Sequence, residues 1–90
     1  MFNGIIYKTG KVSRIEKSSN SRIISIQTTL KFKKSDIGSS IACNGTCLTL
    51  VKIKKNQISF YLSKETLAKT AFKHVKVNDI INIEIGRAHV

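Results

Sequence analysis

The 90-residue sequence has no proline, no tryptophan and only two cysteines. Two cysteines cannot form the framework of a small secreted domain held together by several disulfide bridges. No apolar stretch approaches the roughly 18 to 20 residues that cross a bilayer, and the first residues lack the basic head and apolar run of a signal peptide. We therefore expect a cytoplasmic protein with no membrane partner.

Acidic residues are also scarce, with 5 against 16 basic residues and a formal net charge of +11. One explanation for such an excess is a nucleic-acid or acidic-membrane partner. The other is a general preference for lysine at surface positions, without any such partner. Thirteen of the 16 basic residues are lysines scattered along the chain, whereas arginine and aromatic residues, which read and stack bases, are few. The second explanation is favoured, and we predict no nucleic-acid partner.

The sequence lacks the usual constellations of a metal or cofactor site. Cys43 and Cys47 have no second pair at ligand spacing, and His74 stands alone outside any ligand pattern. There is no glycine-rich phosphate loop and no pair of neighbouring carboxylates. We predict no metal and no cofactor, with His74 on the surface.

At 41% hydrophobic residues the chain is globular, and its length corresponds to one small domain. A chain of this size buries only about two-thirds of its unfolded surface, so one core leaves no room for a large enclosed cavity. A sizeable ligand would therefore lie in a groove, or between this domain and another.

The clearest local signal is Asn44-Gly45 between two β-branched and apolar stretches, which predicts a two-residue type I′ hairpin turn. In that register Ala42, not Cys43, faces Cys47, so a disulfide between the two cysteines is not expected. Small polar side chains accompany the turn: Ser40, Thr46, Cys47 and Thr49. They indicate either a soft core or the wall of a polar pocket, and the pattern leaves both open because a free cysteine is usually buried.

The alternation of apolar and polar residues predicts a short strand over residues 40–43 and longer strands over residues 4–16, 22–28, 47–53, 57–62 and 80–84. In the first strand the alternating apolar residues occupy odd positions before Gly10 and an even position after it. This change of parity predicts a β-bulge near Gly10. Gly38 closes a short helical turn, and one helix lies between Ser63 and Phe72, capped by Ser63. Leu67, Ala68, Ala71 and Phe72 would form its apolar stripe. Six strands with short connections predict an all-β fold, a closed antiparallel barrel.

The last six residues do not continue the strand pattern, and they match one reading frame of a common sequencing-adapter sequence. We expect residues 1–84 to be the domain and residues 85–90 to be a non-native tail of a truncated chain. The alternative is a short native tail, which resequencing of the locus would distinguish.

Three ordered blocks then resemble one family. Met1-Phe2-Asn3-Gly4-Ile5-Ile6 is similar to a family start Met-Phe-Thr-Gly-Ile-Ile. The stretch from Gly38 to Thr49 is similar to Gly-x-Ser-(Ile/Val)-Ala-x-Asn-Gly-x-Cys-Leu-Thr, and the stretch from Phe60 to Leu67 is similar to Phe-x-x-x-x-Glu-Thr-Leu. The segment Asn82-Ile83-Glu84 resembles the closing strand of the family. The chain thus resembles riboflavin synthase of the alpha-chain type, in register from Met1 to Glu84.

The resemblance implies an N-terminal lumazine-binding barrel with six strands in Greek-key order. The whole enzyme would hold two such barrels and a C-terminal helix and form a homotrimer, and the isolated barrel could form a dimer. It would be a transferase in riboflavin biosynthesis that needs no cofactor. Two molecules of 6,7-dimethyl-8-ribityllumazine would exchange a four-carbon unit, giving riboflavin and 5-amino-6-ribitylamino-uracil. This half alone would bind one lumazine, or the product riboflavin, with little turnover.

The resemblance also implies site residues. Ser40, Cys47 and Phe2 would lie near the reacting centre, with Ser40 and Cys47 as candidates for proton transfer or transient addition. The substrate-binding positions would be Gly4, Ile5, Ile6, Cys47, Leu48, Thr49, Tyr61, Leu62, Ser63, Lys64, Glu65 and Thr66. Two positions depart from the family pattern: Asn3 replaces a Thr, and Tyr61 stands where an Asp is frequent.

Two alternative functions remain at this point. One is a non-catalytic lumazine- or flavin-binding protein of the same family. The retention of Ser40, Cys47 and Thr66 together favours the enzyme over it. The other, less favoured, is a basic barrel that binds single-stranded nucleic acid.

Overall fold

The computed structural model describes the backbone of residues 4–87 and the side chains of residues 8–85. Within them, six antiparallel strands close into a barrel in the order β1-β2-β5-β4-β3-β6. The strands are β1 Gly4–Lys17, β2 Arg22–Gln27, β3 Ser40–Cys43, β4 Thr46–Lys54, β5 Gln57–Leu62 and β6 Ile80–Arg87. One α-helix, α1, covers Lys64–Lys69, and 3-10 turns cover Lys34–Asp36 and Ala71–His74. The predicted all-β closed barrel with one short helix is confirmed.

The strand order is that of two overlapping Greek keys. β3, β4 and β5 follow one another through tight turns, whereas β2 lies beside β5 and β6 lies beside β3. The long connections 28–39 and 63–79 make these returns possible. Closure leaves no free sheet edge among the six described strands for pairing with another chain.

The core fills the barrel interior with alternate residues of each strand. In β5 the buried apolar residues are Ile58, Phe60 and Leu62, as the alternation predicts, and in β2 they include Ile24 and Ile26. The remaining core residues come from the other strands and from the 3-10 turn after α1: Val12, Ile41, Cys43, Leu48, Leu50, Phe72, Ile81 and Ile83. Each strand therefore presents its other residues on the outer face.

The bulge predicted at Gly10 lies instead at Ser13. Gly10 pairs regularly with Ile81, and the register slips between Val12 and Arg14. Gly10 serves a different purpose, because a Cβ there would overlap Cγ2 of Ile26 and lie 2.9 Å from the carbonyl oxygen of Gln27. The pattern of apolar residues could not distinguish a β-bulge from a close approach of another strand, because glycine occurs at both.

The hairpin turn is confirmed. Asn44 and Gly45 have φ values of 51° and 82°, and Ala42 faces Cys47 across the ladder. The Asn44 side chain adds a contact that the turn itself does not need, because its Oδ1 accepts a hydrogen bond from the backbone N–H of Asn82 at 2.7 Å. The hairpin is thereby attached to β6 at its tip.

The helix is shorter than predicted. Ser63 caps α1 as expected, with its Oγ accepting from the Thr66 N–H at 3.1 Å, but α1 ends at Lys69. Thr70 has an extended backbone, and its Oγ1 accepts from the Phe72 N–H to start a 3-10 turn. The predicted apolar stripe is therefore wrong at Ala68 and Ala71, which are exposed. No helix within the described residues is long and apolar enough to cross a membrane.

The last strand runs three residues beyond its predicted end. β6 reaches Arg87 because residues 85–87 pair with the start of β1, from Ile6↔Ile85 to Gly4↔Arg87. The sequence pattern missed this extension because pairing with a neighbour, and not apolar alternation, holds those residues in the sheet.

Candidate functional site

A row of polar side chains crosses three strands on the outer face of the barrel. Ser40 of β3 faces Thr49 of β4, and Thr49 faces Tyr61 of β5. All three residues are exposed, and 43% of Tyr61 is accessible. Successive side chains of a strand point to opposite faces. Because the adjacent residues Ile41, Leu48 and Leu62 point into the core, the side chains of this row point outwards.

Cys47 stands on the same outer face, two residues before Thr49 in β4, and it is exposed. Cys43 differs in that its side chain is fully buried in the core. Burial, with a smaller contribution from the Cys47 thiol, raises the pKa of Cys43 from its usual 9.0 to about 12. Both cysteines are free, as expected. Cys47 is therefore the thiol that a ligand can reach.

Two predicted substrate-binding residues, Leu48 and Leu62, are core residues. Their side chains are at most 2% accessible. A ligand on the outer face could contact them only through backbone groups. Sequence reasoning placed them near the site by motif, and the structure places their side chains on the inner side of the same strands.

The start of α1 follows directly from the Tyr61 end of β5. The Ser63 hydroxyl lies 3.1 Å from the Thr66 hydroxyl, and both residues are half-buried. Lys64 and Glu65 are exposed, and Glu65 pairs with Lys69 at 2.8 Å as its spacing predicts. Because β5 runs antiparallel to β4, the chain from Tyr61 towards Ser63 heads along β4 towards Cys47.

The remaining predicted residues belong to the first strand. The backbones of Gly4, Ile5 and Ile6 pair with β6, two strands away from Ser40 in the barrel order. Their side chains, and the whole of Phe2, lie outside the described residues.

A groove of about 640 Å³ adjoins Ser40. Besides Ser39 and Ser40 its walls include an aromatic ring, a lysine and a carboxylate, from Phe32, Lys33 and Glu84. None of these three was predicted from the sequence as a site residue. Phe32 and Lys33 come from the irregular connection before the 3-10 turn, where no periodicity marks a side chain as functional.

The outer face thus offers hydroxyls, one phenol and one thiol beside an open groove. Such groups can hydrogen-bond a polar ligand and lie against a flat ring, but they do not form a metal site. No group of three or more metal-ligating side chains occurs in the described part of the chain. The arrangement offers polar groups of the kind that orient a polar organic molecule in a binding site.

Comparison with known proteins assigns the chain to a family. Residues 3–86 match the lumazine binding domain. The chain is 42% identical over 85 residues to riboflavin synthase of Photobacterium phosphoreum, covering 93% of this chain and 39% of that protein. It is 38% identical over 85 residues to riboflavin synthase of Escherichia coli K12, covering 93% and 40%.

Riboflavin synthase of Actinobacillus pleuropneumoniae is 34% identical over 88 residues, covering 98% of this chain and 41% of that protein. The chain therefore spans about two-fifths of the length of these relatives. A family match that extends over almost the whole barrel, together with these identities, leads to one conclusion: the chain belongs to the lumazine-binding domain family.

Proposed function

We propose that this chain is a lumazine-binding barrel of a riboflavin synthase. In the complete enzyme two molecules of 6,7-dimethyl-8-ribityllumazine would exchange a four-carbon unit, giving riboflavin and 5-amino-6-ribitylamino-uracil. This barrel would hold one of the two molecules. The observation that carries the proposal is the exposed row Ser40–Thr49–Tyr61 with the Cys47 thiol beside it, on the sheet of a barrel that belongs to this family.

The open shape of the site supports a division of labour between two barrels. Ser40, Thr49 and Tyr61 stand on an outer face, so a ligand there would have one side uncovered. In our proposal a second barrel, supplied within a homotrimer, covers that side. Catalysis would then rest on holding two substrates in reacting geometry.

The proposed residue roles follow from this arrangement. The hydroxyls of Thr49, Ser63 and Thr66 would bind the ribityl chain and the pyrimidine edge, and Tyr61 would contact the ring. Ser40 and Cys47, with Phe2, would lie at the reacting centre, where a ring methyl loses a proton and the resulting anion needs stabilisation.

Riboflavin titration tests binding directly. We expect a saturable change in flavin fluorescence at micromolar concentrations of the 90-residue chain. Thr49→Val should weaken binding about three- to tenfold, the usual effect of one lost hydrogen bond. Thr29→Val is the matched control, because Thr29 is also exposed but follows β2 next to Asn56, at the opposite end of β5 from Tyr61. The absence of any fluorescence change would contradict the proposal.

The catalytic role of Cys47 needs a separate test in the complete synthase. Cys47→Ser should lower turnover more than ligand affinity, because a transiently adding thiol acts in the reaction and not only in binding. Equal losses of both, or none, would make Cys47 part of the lining only. Full binding without any turnover in the complete protein would indicate the non-catalytic family member.

The cell compartment is part of the same proposal. Both cysteines are free although Cys47 is exposed, which suits the reducing cytoplasm. A basic barrel for single-stranded nucleic acid is the weaker alternative. Oligonucleotide binding that weakens steeply with salt, in the absence of flavin binding, would favour it.

A further inference from the structure

A second polar row crosses the barrel on the outer face, next to the row that contains Tyr61. It runs over four strands, from Arg14 of β1 through Ser25 of β2 and Ser59 of β5 to Lys52 of β4. A groove of about 280 Å³ lies over it. Two cations thus stand at the ends of a row whose centre consists of two small hydroxyl side chains.

Two β-bulges stand at this same row, one on each side. The β1 register slips between Val12 and Arg14, and the β4 register slips between Leu50 and Lys52. A bulge turns two consecutive side chains to one face and changes their direction. Arg14 and Lys52 are therefore the residues that both bulges place opposite the central serines.

The floor of the groove is a buried pair of hydroxyls. Ser25 and Ser59 are each only 4% accessible although they point away from the core, and their Oγ atoms lie 2.9 Å apart. Only one hydroxyl hydrogen can lie between the two oxygens, since one serine donates and the other accepts. The structure gives the second hydrogen no other acceptor among the residues it describes. The floor thus retains one hydroxyl hydrogen beyond the serine–serine bond.

The charge around this donor is positive. Arg14, Lys52 and Lys54 line the groove, and Glu16 is the one acidic residue among its lining residues. Glu16 contacts Nε of Arg14 at 3.4 Å, so one carboxylate stands against three cationic side chains over the groove. Neither Lys52 nor Lys54 has a salt-bridge partner within the described residues.

We propose that this groove binds a phosphate group. One phosphate oxygen accepts from the free serine hydroxyl at the floor, and the arginine and lysine side chains neutralise the charge from both ends of the row. Ser59 is two residues from Tyr61 in β5, so this site lies roughly 7 Å from the candidate ligand row. It is a separate site with its own chemistry.

A phosphate titration followed by amide NMR of the 90-residue chain tests the proposal. At pH 7, inorganic phosphate should shift the amide signals of Ser25, Ser59 and Lys52 and should saturate in the millimolar range. Sodium chloride at matched ionic strength should not shift them. Equal shifts in chloride, or shifts that never saturate, would overturn the proposal. A parallel titration with glycerol phosphate distinguishes a free phosphate ion from a phosphate monoester as the better ligand.

The hydroxyl floor is tested with Ser25→Ala/Ser59→Ala. Removal of both partners of a buried hydrogen bond is nearly neutral for folding, whereas removal of one leaves the other unsatisfied. The double variant should bind phosphate about tenfold more weakly. Binding as tight as in the unchanged protein would refute a role for the hydroxyls and with it the proposed site.

The cations are tested independently of the serines, with Lys52→Gln/Lys54→Gln. The matched control, Lys73→Gln/Lys76→Gln, makes the same change in net charge at exposed residues outside the groove. The first variant should weaken phosphate binding at least fivefold, and the control less than twofold. Equal weakening by both would mean general attraction to a basic protein and would overturn the proposal, whatever the serine variant does.

Discussion

At Gly10 the fold leaves no room for a side chain. An added methyl group at Gly10 would overlap the buried Ile26 side chain and lie 3.3 Å from Cδ1 of Ile83. We predict that Gly10→Ala lowers the free energy of unfolding by about 2 kcal/mol, the usual cost of overpacking a core. Urea denaturation measures it.

Thr9→Ala is the control for this prediction. Thr9 is exposed and adjacent in the same strand, so its substitution should change stability by less than about 0.5 kcal/mol. If Gly10→Ala and Thr9→Ala were equally mild, the close approach of β1 to β2 at this point would be wrong.

Cys43 should make the free energy of unfolding decrease as the pH rises into the alkaline range. The pKa of its thiol is about 12 in the folded protein and near 9.0 in the unfolded chain, because burial disfavours the thiolate. Between these values the unfolded chain loses the proton and the folded protein keeps it. Stability is therefore complete below pH 9 and falls as the pH rises, by up to about 1.4 kcal/mol per pH unit.

The difference between the unchanged protein and Cys43→Val isolates this effect, since all other side chains are the same in both. Denaturant midpoints measured from pH 8 to pH 10.5 should fall more steeply with the cysteine present. Parallel curves would contradict the burial of Cys43. Cys47→Ser serves as the second control and should retain the steep fall.

At the scale of elements, the β3–β4 hairpin depends on Asn44 for two reasons. Its backbone has a positive φ, and its side chain accepts from the Asn82 N–H of β6. Asn44→Gly keeps the turn and loses the side-chain bond, so we predict a loss of about 1 kcal/mol. Asn44→Ala loses the same bond and, unlike Asn44→Gly, keeps a Cβ in the left-handed conformation without the polar side chain that lets asparagine tolerate it. This variant should therefore be less stable than Asn44→Gly by a further amount of about 1 to 2 kcal/mol.

Thermal melting of the two variants separates the contributions. The order of stability should be the unchanged protein, then Asn44→Gly, then Asn44→Ala. If glycine were as stable as asparagine, the contact with Asn82 would contribute nothing. If alanine equalled glycine, the left-handed turn would not limit stability.

Local sequence signals were sufficient for the elements that local chemistry determines. Asn44-Gly45 predicted the hairpin and its register, whereas the outward direction of Ser40, Cys47 and Thr49 came from the structure. Ser63 fixed the start of α1. The end of α1 was missed because Oγ1 of Thr70 accepts a hydrogen bond from the Phe72 N–H, which ends the helix. The spacing of apolar residues contains no information about such a bond.

Long-range pairing determined what the sequence could not predict. The bulges at Ser13 and Val51 exist only relative to partner strands, and no property of those residues alone marks them. The Ser25–Ser59 pair joins residues 34 positions apart, so the second polar row emerges only when β2 lies beside β5. The candidate site was placed by motif resemblance, and the facing of Thr49 with Tyr61 came from the structure.

At the scale of the whole molecule, the net charge of +11 should make stability depend on salt. Repulsion between like charges disfavours the compact state, and both ion pairs found in the described part of the chain are exposed and weak. We predict that the melting temperature rises by several degrees when NaCl increases from low salt to above 0.15 M, where the screening length is about 8 Å.

The variant Lys73→Gln/Lys76→Gln should melt at a higher temperature in low salt and show a smaller rise. A fall in the melting temperature with salt would mean that attractive pairs outweigh the repulsion. Potassium chloride should give the same result as sodium chloride, whereas phosphate should stabilise further if the groove at Ser25 and Ser59 is occupied.

The position of β6 has a consequence for synthesis on the ribosome. Among the six strands of this barrel β6 comes last in the chain, yet it joins the first strand, β1, to β3. Until residues up to 87 have left the exit tunnel, β1 and β3 each keep an open edge, and the inner faces of Ile41 and Val12 stay partly uncovered. Until then the nascent domain is an open sheet whose unpaired strand edges can bind other chains. The barrel closes only when β6 pairs with both β1 and β3.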